Sequence, residues 1–489
     1  MRKIALYLLA SIIILGSVQC SDNSEKIPNN LEIQDFVWRG LNAVYFWKSQ
    51  IPNLDEFKYK NQHELNKFLE ASGTPENLFE SLIYDRQNTD KWSVIFDDYI
   101  RLENVLNGIS LHNGMEFGLV HVTNNNTDIF GYVRYVLPNS DAEIKGVKRG
   151  MIFNSVNGTP LTINNYRSLL FSSATSYSIE LATYNTDGTV TPLLNATTNL
   201  PESISLAKTE LQENPIYLSN VITQGSHKIG YLMYNGFYIS FNGELNNVIG
   251  NLKSQGITEL VLDLRYNGGG SVLTSSYLAS MITGQFTGEL YTQEHWNEPM
   301  QKQFEANNPS ALITNFADVM SDDTSINHLK LDKLYVITTH STASASELVI
   351  NSLKPYITVK TIGTKTVGKY VASITVYDSQ NLGRQGANPS HTYAMQPIVL
   401  EELNKLGEND KDGFDPTVPQ PEDYGNLGVL GSADEPLLKT TIDLIVSGGK
   451  FRSKAHLPSS LEKPFTGLKE MQLKHTMTVD KNLIIKPNF

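Results

Sequence analysis

The chain has 489 residues, which is too long for one ordinary hydrophobic core, so several domains are expected. A hydrophobic content of 40% and a charged content of 18% exclude a wholly disordered or fibrous chain. The net charge of −12 argues against a nucleic-acid partner, because neutralising phosphates requires clustered Lys and Arg side chains.

The first 19 residues have the pattern of an export signal. A basic start precedes an apolar run from Ile4 to Gly16, which is too short to span a bilayer. Cys20, the only cysteine, follows and resembles the lipid-modified cysteine of bacterial lipoproteins. We therefore expect a lipid-anchored protein of the bacterial cell envelope, periplasmic or associated with the outer membrane, with residues 20–30 as a tether. A secretory signal with an incidental cysteine is the alternative.

Residues 31–104 are predicted to form a small N-terminal helical domain. Thr74 followed by Pro75 is typical of a helix start, with Thr as N-cap and Pro in the first turn. An earlier helix is indicated by apolar residues at three- and four-residue spacing, which form one stripe: Ile33, Phe36, Val37, Leu41, Val44 and Tyr45.

Residues 105–200 change to short β-type runs broken by Asn- and Gly-rich turns, which predicts a small β-rich domain. The order of its pieces resembles a PDZ domain, with Phe117-Gly118-Leu119 as the strand entry, followed by residues 136–142, 146–152 and 156–158. In PDZ domains the strand-entry loop holds a peptide's terminal carboxylate while the peptide adds as a strand. The resemblance thus implies that Phe117, Gly118 and Leu119 bind substrate. Any small β-domain with hairpin turns is the alternative.

Residues 205–450 alternate between strands and helices, which predicts α/β architecture. The apolar run 260–264 is predicted to be a buried strand, followed by a glycine turn and a helix from about Val272. Further strands are predicted at 334–338 and 357–362, with a helix from about 344 to 353 between them. Residues 451–489 form a C-terminal tail to which the sequence assigns no function.

Ser344 begins the predicted helix after the strand at 334–338. Ser344 and Glu347 match a capping box, in which Ser and Glu reciprocally satisfy backbone N–H groups. A serine at a helix N-terminus is also a place where a developing oxyanion is favoured, because unsatisfied N–H groups and the positive end of the dipole lie there. The local motif leaves both interpretations open.

Lys369 lies in a glycine-flanked turn after the strand at 357–362. A serine nucleophile needs a base, and a lysine can serve if desolvation lowers its pKa towards neutrality. An exposed turn lysine is the plain alternative. The segment 363–369 also approaches a phosphate-binding loop, but Tyr370 stands where Ser or Thr would ligate magnesium, and a strand is predicted where a helix should begin. Nucleotide binding is therefore disfavoured.

A third motif is the strand end Asp263-Leu264-Arg265-Tyr266-Asn267 with its glycine turn 268–270. Glycines let the backbone approach a ligand closely and present N–H groups to it. A dinucleotide fingerprint is disfavoured because Leu273 replaces its third glycine. An oxyanion donor and a plain strand-to-helix turn both remain open.

The three motifs, in this order after a PDZ-like domain, resemble the C-terminal processing (tail-specific) peptidases. The likeness rests on Asp-Leu-Arg-x-Asn-x-Gly-Gly from 263, Ala-Ser-Ala-Ser-Glu from 343 and Gly-x-Lys-Thr-x-Gly-Lys from 363. It extends over roughly residues 105–446. The resemblance implies a multi-domain fold, with a crotonase-like α/β peptidase core beside a PDZ-like domain and the N-terminal helical domain.

The resemblance also implies a Ser/Lys dyad, with Ser344 as nucleophile and Lys369 as general base. Backbone N–H groups of Ala345 and of one glycine of the 268–270 turn, Gly269, would form the oxyanion hole. Many relatives carry a Gln four positions after the lysine that hydrogen-bonds it. Ser373 stands there in this chain, and its hydroxyl could still accept a lysine N–H.

The expected function is serine endopeptidase activity on proteins or peptides, recognised through their C-termini. No cofactor or metal is expected, because no His-Glu-x-x-His motif occurs and the sole cysteine lies in the leader. An α/β-hydrolase triad is disfavoured by the absence of a Gly-x-Ser-x-Gly elbow. The alternative is a catalytically inactive peptide-binding scaffold of the envelope on the same fold. The sequence leaves the oligomeric state open.

Overall fold

The computed structural model describes residues 27–409, 411–449 and 477–479. The predictions for the export signal and Cys20 fall outside these residues. No helix within the described ranges is long and apolar enough to cross a bilayer.

The N-terminal region is helical, as predicted. Thr74 caps its third helix by accepting a hydrogen bond from the Asn77 N–H at 3.2 Å, and Pro75 is the first helical residue. The apolar stripe buries Phe36 and Leu41 completely. Its elements are α1 (Glu32–Val44), α2 (Gln62–Ala71), α3 (Pro75–Ser81), β1 (Val94–Phe96) and α4 (Tyr99–Leu106). Helices α2 and α4 were not predicted.

This helical region shares its hydrophobic core with the α/β region instead of enclosing a separate one. Phe36 and Leu41 of α1 belong to the same buried cluster as Leu262 and Val336 of the α/β region. Strand β1 also pairs with a strand near residue 395, with Val94 opposite Gln396. Residues just before β1 are thereby held against the α/β region.

The following region is β-rich, as predicted, and has its own apolar core. Its main sheet has the order β3-β4-β5-β7-β8, so β3 is an outer strand. The elements are β2 (Ile109–His112), β3 (Met115–His121), β4 (Ile129–Val136), α5 (Asp141–Ile144), β5 (Ile152–Val156), β6 (Thr159–Pro160), α6 (Tyr166–Leu170), β7 (Ser176–Tyr184), β8 (Val190–Pro192), β9 (Ser203–Ala207) and β10 (Thr209–Gln212). Strands β2 and β10 pair and connect this region to the next.

The α/β region contains a six-stranded sheet with the order β11-β12-β13-β17-β18-β23. All its pairs except the first are parallel. The elements up to residue 363 are β11 (Ile216–Gln224), β12 (His227–Tyr234), α7 (Asn242–Ser254), β13 (Glu259–Asp263), β14 (Gly270–Ser271), α8 (Val272–Ile282), β15 (Leu290–Trp296), α9 (Glu298–Asn307), β16 (Ile313–Asn315), β17 (Lys333–Thr338), α10 (Ala345–Leu353) and β18 (Thr358–Gly363).

A second six-stranded sheet, with the order β14-β24-β19-β22-β15-β16, lies next in the α/β region. The remaining elements are β19 (Val371–Ser373), β20 (Val376–Tyr377), β21 (Ala394–Gln396), β22 (Ile398–Leu403), β23 (Val418–Pro419), α11 (Pro436–Val446) and β24 (Met477–Thr478). The predicted strands and helices of this region are confirmed. Carboxyl ends of the adjacent parallel strands β13, β17 and β18 meet at one edge, and the three sequence motifs follow these strand ends.

Candidate active site

Ser344 lies at the junction between β17 and α10, in an unusual backbone conformation. Its φ of 65° and ψ of −122° put a non-glycine residue in a sparsely populated region, which costs energy and is typical of functional sites. The side chain is fully buried, and its Oγ makes no hydrogen bond with the described residues. A buried hydroxyl without a hydrogen bond is unusual in a protein interior. Ser344 is also the N-cap of α10, in a capping-box arrangement with Glu347, so the capping interpretation is confirmed and the reactive role stays a prediction.

Glu347 connects the serine to the lysine turn. The Ser344 N–H donates to Glu347 Oε2 at 2.8 Å, which is the Glu half of the predicted capping box. The same Oε2 accepts the Lys369 N–H at 2.8 Å, while Oε1 accepts the Gly368 N–H at 2.6 Å and the Thr366 hydroxyl at 2.5 Å. Burial raises the pKa of Glu347, and these donors act in the opposite direction. One carboxylate therefore fixes the turn of Lys369 beside the first turn of α10.

The Lys369 side chain is buried, with 2% of its surface exposed. Burial lowers the pKa of Lys369 to about 7, although the charges of Asp90 and Glu347 act to raise it. The ring of Trp92 lies with its centroid 5.7 Å from Nζ. The pKa is thus near the value that a general base needs at neutral pH, and the interpretation as an exposed turn lysine is wrong.

The glycine turn 268–270 approaches Ser344 closely. A Cβ added to Gly269, which has a φ of 114°, would lie 2.6 Å from the Ser344 Cβ and 3.0 Å from the Ala345 nitrogen. Only glycine permits this approach. Ala345 is the first residue of α10, so no carbonyl within the helix can accept its N–H. The Gly269 N–H donates to Asn267 Oδ1 at 2.9 Å in this structure.

Two segments of the chain match models of known families. Residues 228–384 match Peptidase family S41, and residues 32–94 match the Peptidase S41 N-terminal domain. Each segment is thus similar to a domain of peptidase family S41, and the two are called the S41 domain and the N-terminal domain below. The S41 domain includes Ser344, Lys369 and the 268–270 turn, and the N-terminal domain includes Asp90 and Trp92.

Individual relatives agree with this assignment. A carboxyl-terminal-processing protease of Picosynechococcus sp. is 25% identical over 51% of this chain and 52% of its own length. A "probable CtpA-like serine protease" of Staphylococcus epidermidis is 24% identical over 34% of this chain and 30% of its own length. A solved Bacteroides fragilis structure assigned to the S41 proteases matches with a TM-score of 0.62 and 25% identity, over 84% of this chain and 97% of that one. The chain thus aligns with about half or less of these curated relatives' length.

Ser373 lies on β19, which follows Lys369 in the S41 domain. Its hydroxyl has one proton and two acceptors within reach, Gln396 Oε1 at 2.7 Å and the Met477 carbonyl at 3.1 Å. Gln396 in turn donates to the Thr375 hydroxyl at 2.7 Å. The expected role of Ser373 in accepting a lysine N–H stays a prediction, and the structure adds Gln396 as its neighbour from β21.

The predicted substrate-binding residues lie apart from the S41 domain, on the outer strand β3. Phe117, Gly118 and Leu119 pair with β4 on one side and are therefore part of the strand, whereas a preceding loop was expected. A Cβ on Gly118 would lie 2.4 Å from the Tyr132 ring. The Phe117 ring stacks on Phe171, which follows α6, with centroids 6.0 Å apart. Their role in binding stays a prediction.

The sequence alone left four contributors to the site unrecognised or assigned to another role. It assigned Glu347 only to a cap, although the spacing Ser344-x-x-Glu347 was noticed. It gave no signal for Asp90 and Trp92, because both act across a contact between separate regions of the chain. It also assigned nothing to the tail, from which Met477 lines a small cavity together with Lys369 and Glu347.

Proposed function

We propose that the protein is a serine endopeptidase that uses Ser344 as nucleophile and Lys369 as general base. The observation that carries this proposal is the buried Lys369, whose pKa is lowered to about 7 and whose turn is tied through Glu347 to the Ser344 backbone. A second support is Ser344 Oγ, which is buried without a hydrogen bond beside the glycine turn.

The proposed reaction is acyl transfer. Neutral Lys369 accepts the hydroxyl proton of Ser344 as Oγ bonds to the substrate carbonyl carbon, and the carbonyl oxygen becomes an oxyanion. The Ala345 N–H and an N–H of the 268–270 turn stabilise that charge. The carbon–nitrogen bond then breaks, and the leaving amine takes the proton from Lys369. Water, deprotonated by Lys369, hydrolyses the acyl-enzyme and regenerates Ser344.

For Gly269 to act as the second oxyanion donor, its N–H must break its 2.9 Å hydrogen bond to Asn267 Oδ1, or be shared between that oxygen and the oxyanion. The Gly269 N–H would then donate to the full negative charge of the oxyanion instead of to the neutral amide oxygen of Asn267. Such charge-assisted hydrogen bonds are stronger than neutral ones, so the exchange is favourable in the transition state. This supports the proposed assignment of Gly269 together with Ala345.

We assign the β-rich region, residues 105–200, to a PDZ-like domain that binds substrate C-termini. Its outer strand β3 offers an unpaired edge in the sheet order, which is what β-strand addition by a peptide requires. Phe117, Gly118 and Leu119 lie on that edge strand. The S41 core would have the crotonase-like fold, and the body would be held at the envelope membrane by a lipid on Cys20.

A fluorophosphonate probe followed by peptide mass mapping tests the proposed nucleophile. We expect one adduct on Ser344, loss of labelling in Lys369→Ala, and retained labelling in Ser346→Ala. Ser346 is a matched control because it is equally buried but donates its hydroxyl to the Asn267 carbonyl at 3.1 Å.

The same protein is assayed for cleavage of unfolded casein and for hydrolysis of a simple ester. Absence of both labelling and casein cleavage, with peptide binding retained, would establish the inactive scaffold instead. Ester turnover without casein turnover would assign a different hydrolase to the same fold.

A further inference from the structure

The short strand β24 from the C-terminal tail is inserted between two segments of the candidate active site. Met477 and Thr478 pair in parallel with Gly270 and Ser271 of β14, and Thr478 pairs in parallel with Ser373 of β19. Without this insertion β14 and β19 would have no common neighbour in the sheet order. The slot between β14 and β19 is thus filled by the protein's own residues 477–479.

The two walls of this slot both belong to the proposed catalytic apparatus. Strand β14 begins directly after Gly269, where an added Cβ would lie 2.6 Å from the Ser344 Cβ. Strand β19 begins two positions after Lys369. A chain that pairs with both walls lies between the segment that follows Gly269 and the segment that follows Lys369, and Met477 lines a small cavity together with Lys369.

The walls hold the inserted segment mainly through its backbone. The Val479 N–H donates to the Ser373 carbonyl at 3.1 Å, and the Met477 carbonyl lies within hydrogen-bond reach of the Ser373 hydroxyl at 3.1 Å. Every residue except proline carries these backbone groups, so such pairing is independent of sequence. An extended polypeptide of different sequence could therefore make the same bonds.

Two side chains of the segment supply the selectivity. Met477 is 1% and Val479 is 7% exposed, and both join the main apolar core, while Thr478 between them is only half-buried. This alternation is typical of a strand that inserts every second side chain into a pocket. The slot thus suits an extended chain with apolar residues at alternate positions.

Access to the proposed nucleophile is closed in this arrangement. Ser344 is fully buried and Lys369 is 2% exposed, so a substrate carbonyl can reach Oγ only after a neighbour moves. Residues 477–479 are a neighbour whose departure would leave a vacant strand position beside both groups.

We propose that the slot between β14 and β19 is the main-chain binding site for extended polypeptide, and that residues 477–479 occupy it as an internal competitor. This inference rests on the proposed peptidase function for its biological meaning, though the binding event itself needs no turnover. Substrate binds by replacing the segment as a strand. Because the segment is tethered to the same chain, its effective concentration is high and weak substrates are excluded.

Peptide binding to Ser344→Ala protein tests the slot independently of catalysis. The probe is a fluorescent peptide with the sequence of residues 474–483, measured by anisotropy against the full chain and against a chain ending at residue 476. We expect at least tenfold tighter binding to the shortened chain, and displacement of the probe by unfolded casein. A peptide with Asp at the positions of Met477 and Val479 is the matched control and should bind at least tenfold more weakly.

A full-length variant is included in case the shortened chain does not fold. Met477→Asp combined with Val479→Asp keeps the full length but disfavours burial of the segment, and it should also bind the probe more tightly than the parent. Equal binding to parent and both variants, with cooperative thermal unfolding retained, would overturn the slot. If the probe binds as expected but Ser344-containing protein cleaves nothing, the slot stands and the proposed function fails. Cleavage of casein without any difference in probe binding would support the proposed function and overturn the slot.

Discussion

Lys369 owes its proposed role to surroundings that come from three separate parts of the chain. Its aliphatic stem and ammonium group are almost completely removed from water, which disfavours the charged form. Asp90 from the N-terminal domain and Glu347 from α10 limit that effect, since their charges favour the ammonium. The pKa near 7 is the balance of these opposing influences.

The pH dependence of peptide cleavage follows from this balance. Since Lys369 acts in its neutral form, kcat/KM should increase with pH and level off above an apparent pKa of about 7. Asp90→Asn removes a charge that favours the ammonium, so the pKa of Lys369 should fall and the increasing limb should move to lower pH. Initial rates on a fluorogenic peptide between pH 5 and 9, about the range over which such a group titrates, measure both profiles.

Asp98→Asn is a suitable control, because Asp98 caps α4 and has no charge interaction with Lys369 in the described structure. Its profile should coincide with that of the parent. If kcat/KM of the parent protein increased only near pH 10, the ordinary range for a lysine pKa, the assignment of Lys369 as the base would be contradicted.

Glu347 joins helix α10 to the turn 364–369, because its carboxylate accepts hydrogen bonds from donors at the start of the helix and in the turn. Four donors converge on one buried carboxylate, from Ser344, Thr366, Gly368 and Lys369. Replacing the carboxylate would leave these donors without an acceptor in the interior, where each lost bond is costly. Glu347 is therefore a positioning residue for the dyad.

Glu347→Ala should lower the free energy of unfolding by about 3 kcal/mol and reduce kcat by about 100-fold, because the donors lose their acceptor and the lysine turn shifts. Glu347→Gln keeps one carbonyl oxygen as acceptor, so its stability loss should be smaller. It also removes a charge that raises the pKa of Lys369, so its pH profile should move to lower pH.

Denaturant unfolding and pH–rate profiles of the three proteins check this prediction. A purely structural Glu347 would change stability in both variants but would leave the pH profile of the Gln variant where it is in the parent.

The elements that the sequence predicted well are those whose signals are local. The apolar run 260–264, the Thr74-Pro75 helix start and the Ser344-x-x-Glu347 spacing each depend on a few neighbouring residues, and all appear in the structure. Helix α2 was missed although Asn61 caps it through a hydrogen bond from the Glu64 N–H. Its apolar residues Leu65, Phe68 and Leu69 have helical spacing and Leu65 and Leu69 are buried, so the sequence did carry a signal for this helix.

The site itself could be predicted only in part. The sequence proposes Ser344, Lys369 and the glycine turn because three motifs agree in order, and their catalytic roles stay predictions. The hydrogen bonds of Glu347 to the lysine turn depend on tertiary contact. Asp90 and Met477 lie far from the dyad in sequence and reach it only through packing between regions. Local patterns carry no information about such approaches.

At the scale of the whole molecule, Arg149 connects the β-rich region to the α/β region. It donates to the Tyr266 hydroxyl at 2.7 Å and to Glu422 at 3.0 Å, and both acceptors belong to the α/β region. Burial alone would raise the pKa of Glu422, but Arg149 and Arg265 lower it overall. Tyr266 directly precedes Asn267 of the oxyanion turn. The junction between regions therefore adjoins the glycine turn 268–270, which we propose as part of the oxyanion hole.

Arg149→Met should lower the apparent free energy of unfolding by about 2–3 kcal/mol, since it removes charged hydrogen bonds and leaves the buried Glu422 with Arg265 and the Tyr266 hydroxyl as partners. Lys148→Met, at an exposed neighbouring position, should change it by less than about 0.5 kcal/mol.

A carboxyl group with a lowered pKa contributes stability above its ordinary pKa of 4.5 and loses that contribution as the pH falls further. The difference between parent and Arg149→Met should therefore shrink in acid. Urea unfolding at pH 7 and pH 4 measures it, and a difference independent of pH would mean that Arg149 contributes packing alone.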